Sequence, residues 1–325
     1  MGPNGAGKTN LLESLHVGTQ GFSPRTRNDA QLIRFGETAS RIALRGESGE
    51  RPLDLEVVLQ VGEVKRAKVN GAQLRAAEQL RSTVPTLVFT PDRLAVVKGG
   101  PAVRRAYFDR TLGRLAPARA ALPAEYGAAL AQRNAALRRI QLGLSSPEAL
   151  TPWTEQVAEL GAALVDARRD AVALLSPTFA ERAGELGLPG GALVYEAEAP
   201  TVESLEARYA RDLERGWTGA GPHLDEIGIV AGDRDLRTFG SQGEQRLAVL
   251  SLLLAEAELI VDRTGSPPLL LLDDVLSELD PDRRRILASR IGGTGQALVT
   301  STTAAALPVD PQQLLEVAPG RVESR

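Results

Sequence analysis

The chain has 325 residues, 43% of them hydrophobic, which is enough for one large domain or two smaller ones with a sizeable core. It has no cysteine and only two histidines, His16 and His223, which excludes disulfides and thiolate metal sites and argues against a multi-histidine zinc site. Its net charge of −3 leaves nucleic-acid binding to a local basic patch, and its apolar stretches end before the roughly 18 residues of a membrane span, so we expect a cytoplasmic protein without a membrane partner.

Short elements of both kinds are expected in the first hundred residues. A helix is predicted at 9–16. Alternating or continuous apolar runs predict strands at 41–44, 53–60, 65–69 and 84–89. Asn70-Gly71 is a tight-turn signal and predicts a reversal after the third of these strands.

The middle of the chain has helical periodicity. Amphipathic patterns predict helices at 102–115, 123–142 and 152–186, which together form an arm of antiparallel helices. After residue 217 the mixed character returns, with strands at 226–230, 269–272 and 297–300 and helices at 242–262 and 281–291. We therefore expect an α/β head in two parts, 1–101 and 217–325, with a helical arm lobe inserted at 102–216.

A glycine-rich phosphate loop opens the chain. The sequence Gly2-Pro-Asn4-Gly5-Ala-Gly7-Lys8-Thr9 satisfies the pattern G-x-x-x-x-G-K-T and is followed by Asn10 and an apolar helix. Backbone N–H groups at the start of such a helix attract phosphate. Lys8 is expected to reach the β- and γ-phosphates of ATP, and the Thr9 hydroxyl to ligate Mg²⁺. A chance glycine-rich turn is the alternative, and the complete motif argues against it.

A phosphate loop normally follows a buried strand, and only Met1 precedes this one. We therefore expect that the true start lies some tens of residues upstream and that Met1 stands at a strand position.

A second ATP motif lies near the other end of the chain. Leu269-Leu-Leu-Leu-Asp273-Asp274 reads as a buried strand that ends in two carboxylates, which is the Walker B pattern. Asp273 is expected to hold Mg²⁺ through water, and Asp274 to act as the catalytic carboxylate that polarises the attacking water. A core strand followed by a helix-capping Asp is the alternative for a single carboxylate. The following Ser277-Glu-Leu-Asp280 resembles the D-loop of ABC-type ATPases and favours the pair.

A third motif precedes the second by about 32 residues. Phe239-Gly-Ser241-Gln-Gly243-Glu-Gln245-Arg opens a helix and resembles the ABC signature. Taken alone, Ser241 reads as an ordinary helix N-cap. Its spacing before Asp273 favours the signature, and with it an ABC-type phosphate-loop ATPase head.

Several further stretches resemble the RecF family, and none is a general ABC feature. They are Leu32–Gly36, Thr90–Asp92, Lys98–Pro101, Arg104–Asp109, Gln132–Leu137 and Gly221–Asp225. The resemblance implies a slow cytoplasmic ATPase that binds gapped DNA, dimerises with ATP and Mg²⁺, and helps RecA load with RecR and RecO. It also implies that Ser241, Gly243, Gln245 and Asp280 contact ATP bound by the second copy, with Lys8 and Asp274 serving catalysis.

The sequence departs from the ABC or RecF pattern at four places. Segment 86–90 lacks the metal-sensing glutamine of transporters, and no switch histidine follows the strand at 297–300, where Thr300 or Ser301 stands instead. Asp274 replaces a longer glutamate, and Leu224 occupies a position that is usually basic in the RecF family.

Five basic residues are the candidates for DNA binding: Arg66, Lys68, Arg104, Arg105 and Arg133. Arg104 and Arg105 have a structural alternative, as partners of Asp109 or braces at the junction of the lobes.

His223 is expected to be structural, and Trp153 and Trp217 to lie in the core.

Three other functions fit parts of this pattern. An ABC transporter ATPase subunit would share the three motifs, but the absent switch histidine and the long arm argue against it. A scaffold with an inactive ATP site conflicts with the intact Lys8 and Asp pair. A fragment of an SMC protein would need far longer coiled coils.

Overall fold

The computed structural model describes residues 1–26, 28–49, 51–75, 79–277, 279–292, 295–303, 307 and 310–325. The chain forms two compact units. The first unit comprises Met1–Arg93, Glu185–Gly187 and Leu253–Arg325, and the second comprises Leu94–Gly184 and Leu188–Leu252.

An antiparallel sheet occupies the first part of the first unit. Its strands follow the chain in order: β1 Ala39–Ser48, β2 Arg51–Gln60, β3 Arg66–Val69 and β4 Ala72–Gln73. Asn70 and Gly71 have φ of 49° and 80°, as the predicted tight turn between β3 and β4 requires. One face of the sheet buries Leu55, Val57 and Leu59, which share a core with Val17 of α1 (Lys8–Gln20).

A parallel sheet of order β10-β9-β5 forms the centre of the first unit. Its strands are β5 Thr86–Phe89, β9 Leu269–Leu272 and β10 Ala297–Val299. Leu12 of α1 packs against Val88 and Leu271, so α1 covers one face of this sheet. This unit also contains helices α2 Leu80–Thr83 and α11 Pro281–Gly292, the short 3-10 helix Asp29–Leu32, and the hairpin β11 Leu315–Ala318 with β12 Arg321–Ser324.

Helices dominate the second unit. They are α3 Ala95–Lys98, α4 Pro101–Leu115, α5 Leu122–Gln141, α6 Thr151–Glu185 as far as Gly184, α7 Val202–Glu206, α8 Tyr209–Arg215 and α9 Leu236–Phe239. Leu112, Tyr126 and Val157 belong to one buried cluster and bring α4, α5 and α6 together. A small antiparallel sheet of β6 Gly191–Val194, β7 Gly228–Ala231 and β8 Arg234–Asp235 also lies here.

Helix α10, Gln242–Thr264, begins in the second unit and ends in the first. The boundaries therefore differ from the expected segments 1–101, 102–216 and 217–325. Residues 217–252 belong with the arm because β7 pairs with β6, and because arginines of α4, α5 and α6 bond to Glu226, Thr218 and the Pro222 carbonyl.

Trp217 was expected in the core, yet the residue is 39% exposed. Within the part of the chain that the structure describes, every helix is too short or too polar to cross a membrane.

Candidate nucleotide site

The phosphate loop, residues 2–7, leads directly into α1. Gly5 and Gly7 have φ of 78° and 101°, a backbone conformation that side-chain-bearing residues rarely adopt. Gly7 is the N-cap residue of α1, and its carbonyl accepts from the Leu11 N–H at 3.0 Å. The N–H groups of the first helical turn are thus directed toward the loop, where an anion would be stabilised. Asn4 is exposed at the tip of the loop.

Lys8 and Thr9 extend from the first turn of α1. Lys8 Nζ donates to the carbonyls of Gly2 at 2.7 Å and Pro3 at 3.0 Å, so the ammonium group lies over the loop. Thr9 Oγ1 donates to Asp273 Oδ2 at 2.7 Å. This bond joins the phosphate loop to the end of β9 across 264 positions of sequence.

Asp273 is held on both sides by threonine hydroxyls. Its second oxygen, Oδ1, accepts from Thr300 Oγ1 at 2.6 Å. The same Thr300 oxygen accepts from the backbone N–H of Asp274 at 2.9 Å. Asp274 itself has φ of 51° and an exposed side chain. Thr300 therefore fixes the backbone that carries both carboxylates, whereas Ser301 bonds to Thr303.

The arrangement fits a magnesium ion. In the described residues there is no cluster of three acidic, histidine or cysteine side chains. Mg²⁺ does not need such a cluster, because it usually keeps several waters and binds one or two carboxylates together with phosphate oxygens. The Thr9 hydroxyl and the Asp273 carboxylate, already in contact, are a suitable pair.

Asp280, a predicted nucleotide contact, is the N-cap residue of α11. Its Oδ1 accepts from the Arg283 N–H at 2.9 Å, and its Oδ2 lies 3.1 Å from the Arg283 guanidinium. Its carboxylate is exposed. Glu278 of the same predicted D-loop lies outside the described residues.

The signature segment lies in the second unit. Ser241 precedes α10 and forms a reciprocal pair with Glu244: the Glu244 N–H donates to Ser241 Oγ at 3.2 Å, and the Ser241 N–H donates to the Glu244 carboxylate at 2.8 Å. Hydrogen bonds from Arg234 and Ser241 lower the pKa of Glu244 to about 2. Ser241 and Gly243 are exposed.

Gln245 differs from the other signature residues. Its side chain is 4% exposed and donates to the carbonyls of Leu236 at 2.8 Å and Gly240 at 3.2 Å. These bonds use the amide to fix the loop before α10, so a direct nucleotide contact by Gln245 would require breaking them.

Arg66 and Lys68 lie on the outer face of the antiparallel sheet. They pair in register with Val58 and Glu56 of β2, whose other neighbours, Arg41 and Ala43 of β1, share that face. Lys68 Nζ lies 3.1 Å from Glu56, which also pairs with Arg41. The sequence pattern did not identify Arg41 as part of this surface, because its strand partner is not adjacent in sequence.

Arg104 and Arg133 are corrected as DNA candidates, because both are buried. Arg133 is 0% exposed and lies 3.0 Å from Asp212, and Arg104 is 3% exposed and pairs with Glu226. The buried guanidinium groups of Arg104 and Arg133 cannot contact a phosphate without losing these partners. Arg104 pairs with Glu226 and not with the expected Asp109, which bonds to Arg168. Arg105 is half-buried and donates to the Asp225 carbonyl at 2.6 Å, and its role in DNA binding stays a prediction.

His223 is also structural in its contacts. Its Nδ1 bonds with the Tyr126 hydroxyl at 2.7 Å, and its Nε2 with the Thr218 carbonyl at 2.9 Å. Burial lowers the pKa of His223, so the ring is neutral in the folded protein at neutral pH.

Comparisons with known proteins point to one family. The family model described as RecF/RecN/SMC N terminal domain matches residues 1–321. A protein of Heliobacterium modesticaldum named DNA replication and repair protein RecF is 36% identical over 328 residues, covering 97% of this chain and 88% of that protein. A protein of the same name from Anaeromyxobacter dehalogenans is 39% identical, covering 93% of this chain and 85% of that protein.

Solved structures give the same result for the fold. A structure described as the recombination mediator protein RecF with ATP, in the RecFOR pathway, has a TM-score of 0.89 at 26% identity, covering 100% of this chain and 90% of that one. An Smc head bound to the C-winged helix domain of ScpA has a TM-score of 0.56 at 16% identity, a likeness of fold alone. The predicted α/β head of the ABC and SMC type is confirmed.

Proposed function

Because the chain belongs to the RecF family, we propose that it is an ATP-dependent DNA-binding protein of recombinational repair. One observation carries the proposal: the Thr9 hydroxyl and the Asp273 carboxylate are 2.7 Å apart, so the two ATP motifs meet at one point. A relative described as a complex with ATP, 26% identical over the whole chain, supports the choice of nucleotide.

The chemistry of the site is hydrolysis of the γ-phosphate. Thr9 and Asp273 would hold Mg²⁺, which when bound neutralises phosphate charge. Lys8 binds the β- and γ-phosphates, and the loop N–H groups orient them. Asp274 accepts a proton from the water that attacks the γ-phosphorus, while the bond from that phosphorus to the bridging oxygen of the β-phosphate breaks and ADP leaves. Hydrolysis is slow, because the carboxylate of Asp274 is short and Thr300, which replaces the switch histidine, is bonded to Asp273.

Two copies cooperate in the proposed cycle. Ser241 and Gly243 of one copy contact the γ-phosphate held by Lys8 of the other, so bound ATP bridges the two copies of a homodimer. The exposure of Ser241 and Gly243 supports this role. Gln245 contributes by holding the signature loop, and Asp280 by its exposed carboxylate. Hydrolysis then releases the two copies.

The dimer is proposed to bind gapped DNA at junctions of single and double strands, and to promote RecA loading with RecR and RecO. The names of the relatives, which place RecF in DNA replication and repair and in the RecFOR pathway, support this part of the proposal. Arg66 and Lys68 are the DNA contacts that their exposure supports.

Analytical ultracentrifugation of the full chain tests the cycle. We expect ATP to convert a monomer into a dimer, and gapped DNA to bind only with ATP and less tightly as salt is raised. Lys8→Ala, which removes the phosphate contact, should stay monomeric and fail to bind ATP. A wild-type protein that binds gapped DNA equally well with and without ATP would refute the proposed coupling.

A paired replacement tests the DNA surface. Changing Arg66 and Lys68 together to Ala should lower the slope of log affinity against log salt by about 2, which is about 1 for each lost phosphate contact. Arg169→Ala is the matched control, because Arg169 is 51% exposed and ion-paired on α6. An equal decrease of the salt slope in the double variant and in the control would show that Arg66 and Lys68 do not contact DNA.

A further inference from the structure

Thr90 carries a buried hydroxyl whose hydrogen-bonding capacity is not used by any of the described residues. The residue is 4% exposed, and its Oγ1 has no hydrogen-bond partner there. Other buried threonines do have partners: Thr111 bonds to the Tyr107 carbonyl at 3.2 Å, and Thr154 to the Leu150 carbonyl at 3.1 Å. A buried polar group without a partner is costly, so the Thr90 hydroxyl calls for an explanation.

The alternation of side chains along β5 shows which way Thr90 faces. Thr86 donates to Thr19 of α1 at 2.9 Å, and Val88 packs against Leu12 of α1. Successive side chains of a strand point to opposite faces, so residues two apart share a face. Because the backbone of Thr90 directly continues β5, its side chain faces α1 as well. Thr19, Leu12 and the start of α1 follow one another, so Thr90 lies toward the phosphate-loop end of the helix.

The register of the parallel sheet shows which residue of β9 lies next to Thr90. Phe89 pairs with Leu272, and the Asp273 N–H donates to the Phe89 carbonyl at 2.8 Å. Thr90 is therefore the neighbour of Asp273 at the carboxyl edge of the sheet. The Asp273 carboxylate also faces α1, since it accepts from Thr9. Thr9 and Thr300 both donate to the Asp273 carboxylate, whereas the hydroxyl of Thr90, at the neighbouring position on the same face, is not bonded to it.

We propose that Thr90 is a positioning residue for the metal, whose hydroxyl bonds to a water in the coordination shell of the Mg²⁺ held by Thr9 and Asp273. The inference rests on the proposed nucleotide site. Mg²⁺ keeps several waters when it binds to proteins with nucleotides, and each such water needs an acceptor. A hydroxyl offers two acceptor positions and one donor, and Thr90 has them free at the right edge of the sheet. The turn that follows, closed by the Arg93 N–H on the Thr90 carbonyl at 2.9 Å, holds the residue in place.

Three variants of the full chain separate this role from packing. Thr90→Val removes the hydroxyl and keeps the shape, and Thr90→Ser restores a hydroxyl. Thr86→Val is the matched control, since Thr86 is a buried threonine on the same face of the same strand whose hydroxyl does have partners. The affinity for a non-hydrolysable ATP analogue is measured in Mg²⁺ and in EDTA, together with the melting temperature of the protein without nucleotide or metal.

The two valine variants are expected to differ in both the melting temperature and the ratio of affinities in Mg²⁺ and EDTA. Thr90→Val should bind the analogue normally in EDTA but about 2- to 10-fold more weakly in Mg²⁺, the loss of one hydrogen bond. Its melting temperature should be unchanged or raised, because an unbonded polar group is replaced by an apolar one. Thr86→Val should melt at a lower temperature and keep the wild-type ratio of affinities. Thr90→Ser should behave as wild type.

Two outcomes would overturn the role of Thr90 without affecting the proposed nucleotide site. One is a Thr90→Val protein with the wild-type ratio of affinities in Mg²⁺ and EDTA, and the other is a Thr90→Val protein that melts below wild type or does not fold. A wild-type protein whose affinity for the analogue does not depend on Mg²⁺ would instead overturn the proposed nucleotide site together with the role of Thr90.

Discussion

Replacing Arg133 with Met removes one half of a fully buried ion pair in the second unit. The side chains of Arg133 and Asp212 are each 1% exposed, and their charged atoms lie 3.0 Å apart. The Arg133 guanidinium also donates to Thr154 at 3.2 Å and to Thr218 at 2.7 Å. After the replacement, Asp212 would retain the N–H of Gly219, at 3.0 Å, as its described hydrogen-bond donor.

Loss of one partner of a buried pair costs about 3–5 kcal/mol of unfolding free energy, because the remaining charge is left without compensation. For a unit of this size each 1 kcal/mol lowers the melting temperature by about 2–4 °C, so a fall of about 6–20 °C is expected. Replacing Asp212 with Leu in the same protein should recover most of the loss, since the uncompensated charge is then absent.

Tryptophan fluorescence in urea measures this directly. The chain has two tryptophans, Trp153 and Trp217, and both lie in the second unit. Arg139→Met is the control, because Arg139 is an exposed arginine of the same helix and should change stability by less than about 0.5 kcal/mol. The reasoning fails if Arg133→Met unfolds at the wild-type urea concentration, above all if it also lowers the salt slope of DNA binding.

Three further predictions concern the cycle and its pH dependence. Asp274→Asn should bind ATP and prolong the life of the ATP dimer at least tenfold in ultracentrifugation; an unchanged lifetime would show that Asp274 is not the base. Ser241→Arg should bind ATP with wild-type affinity in calorimetry yet remain monomeric, and a normal dimer would exclude the signature from the interface. Burial lowers the pKa of His223, so its contribution to stability is complete above about pH 6.5 and declines as pH falls toward the lower pKa of the folded state. Urea unfolding between pH 7.5 and pH 5 should therefore show a loss that His223→Gln lacks, and an equal loss in both proteins would contradict the assignment.

Local sequence signals were sufficient for the elements that carry the ATP motifs. The run of four leucines between Pro268 and Asp273 predicted the bounds of β9. A short continuous apolar run between a proline and a carboxylate is typical of a buried strand. The helix expected at 152–186 is observed at Thr151–Glu185, although it contains Pro177. By contrast, β6 and the hairpin of β11 and β12 were not predicted, because these strands are only partly buried or exposed and lack the continuous apolar run that marks β9.

The fate of the arginines could not be predicted from local pattern. Arg133 lies on a helix next to exposed arginines, and its partner Asp212 is 79 positions away. Only tertiary structure brings the two together and determines whether a guanidinium group faces solvent or the core. The same limit applies to Thr90, whose missing partner is visible only once the register of β5 and β9 is known.

Gly2 links the phosphate loop to strand β11, which contributes none of the residues proposed to act in ATP hydrolysis. A Cβ placed on Gly2 would lie 2.2 Å from the carbonyl oxygen of Val317 in β11, closer than any real side chain comes to backbone. This glycine would thus be retained by a descendant that had ceased to use nucleotide altogether. Among divergent homologues, the presence of the first glycine of the motif is therefore weak evidence for an active ATP site. The presence of a lysine at the position of Lys8 is stronger evidence.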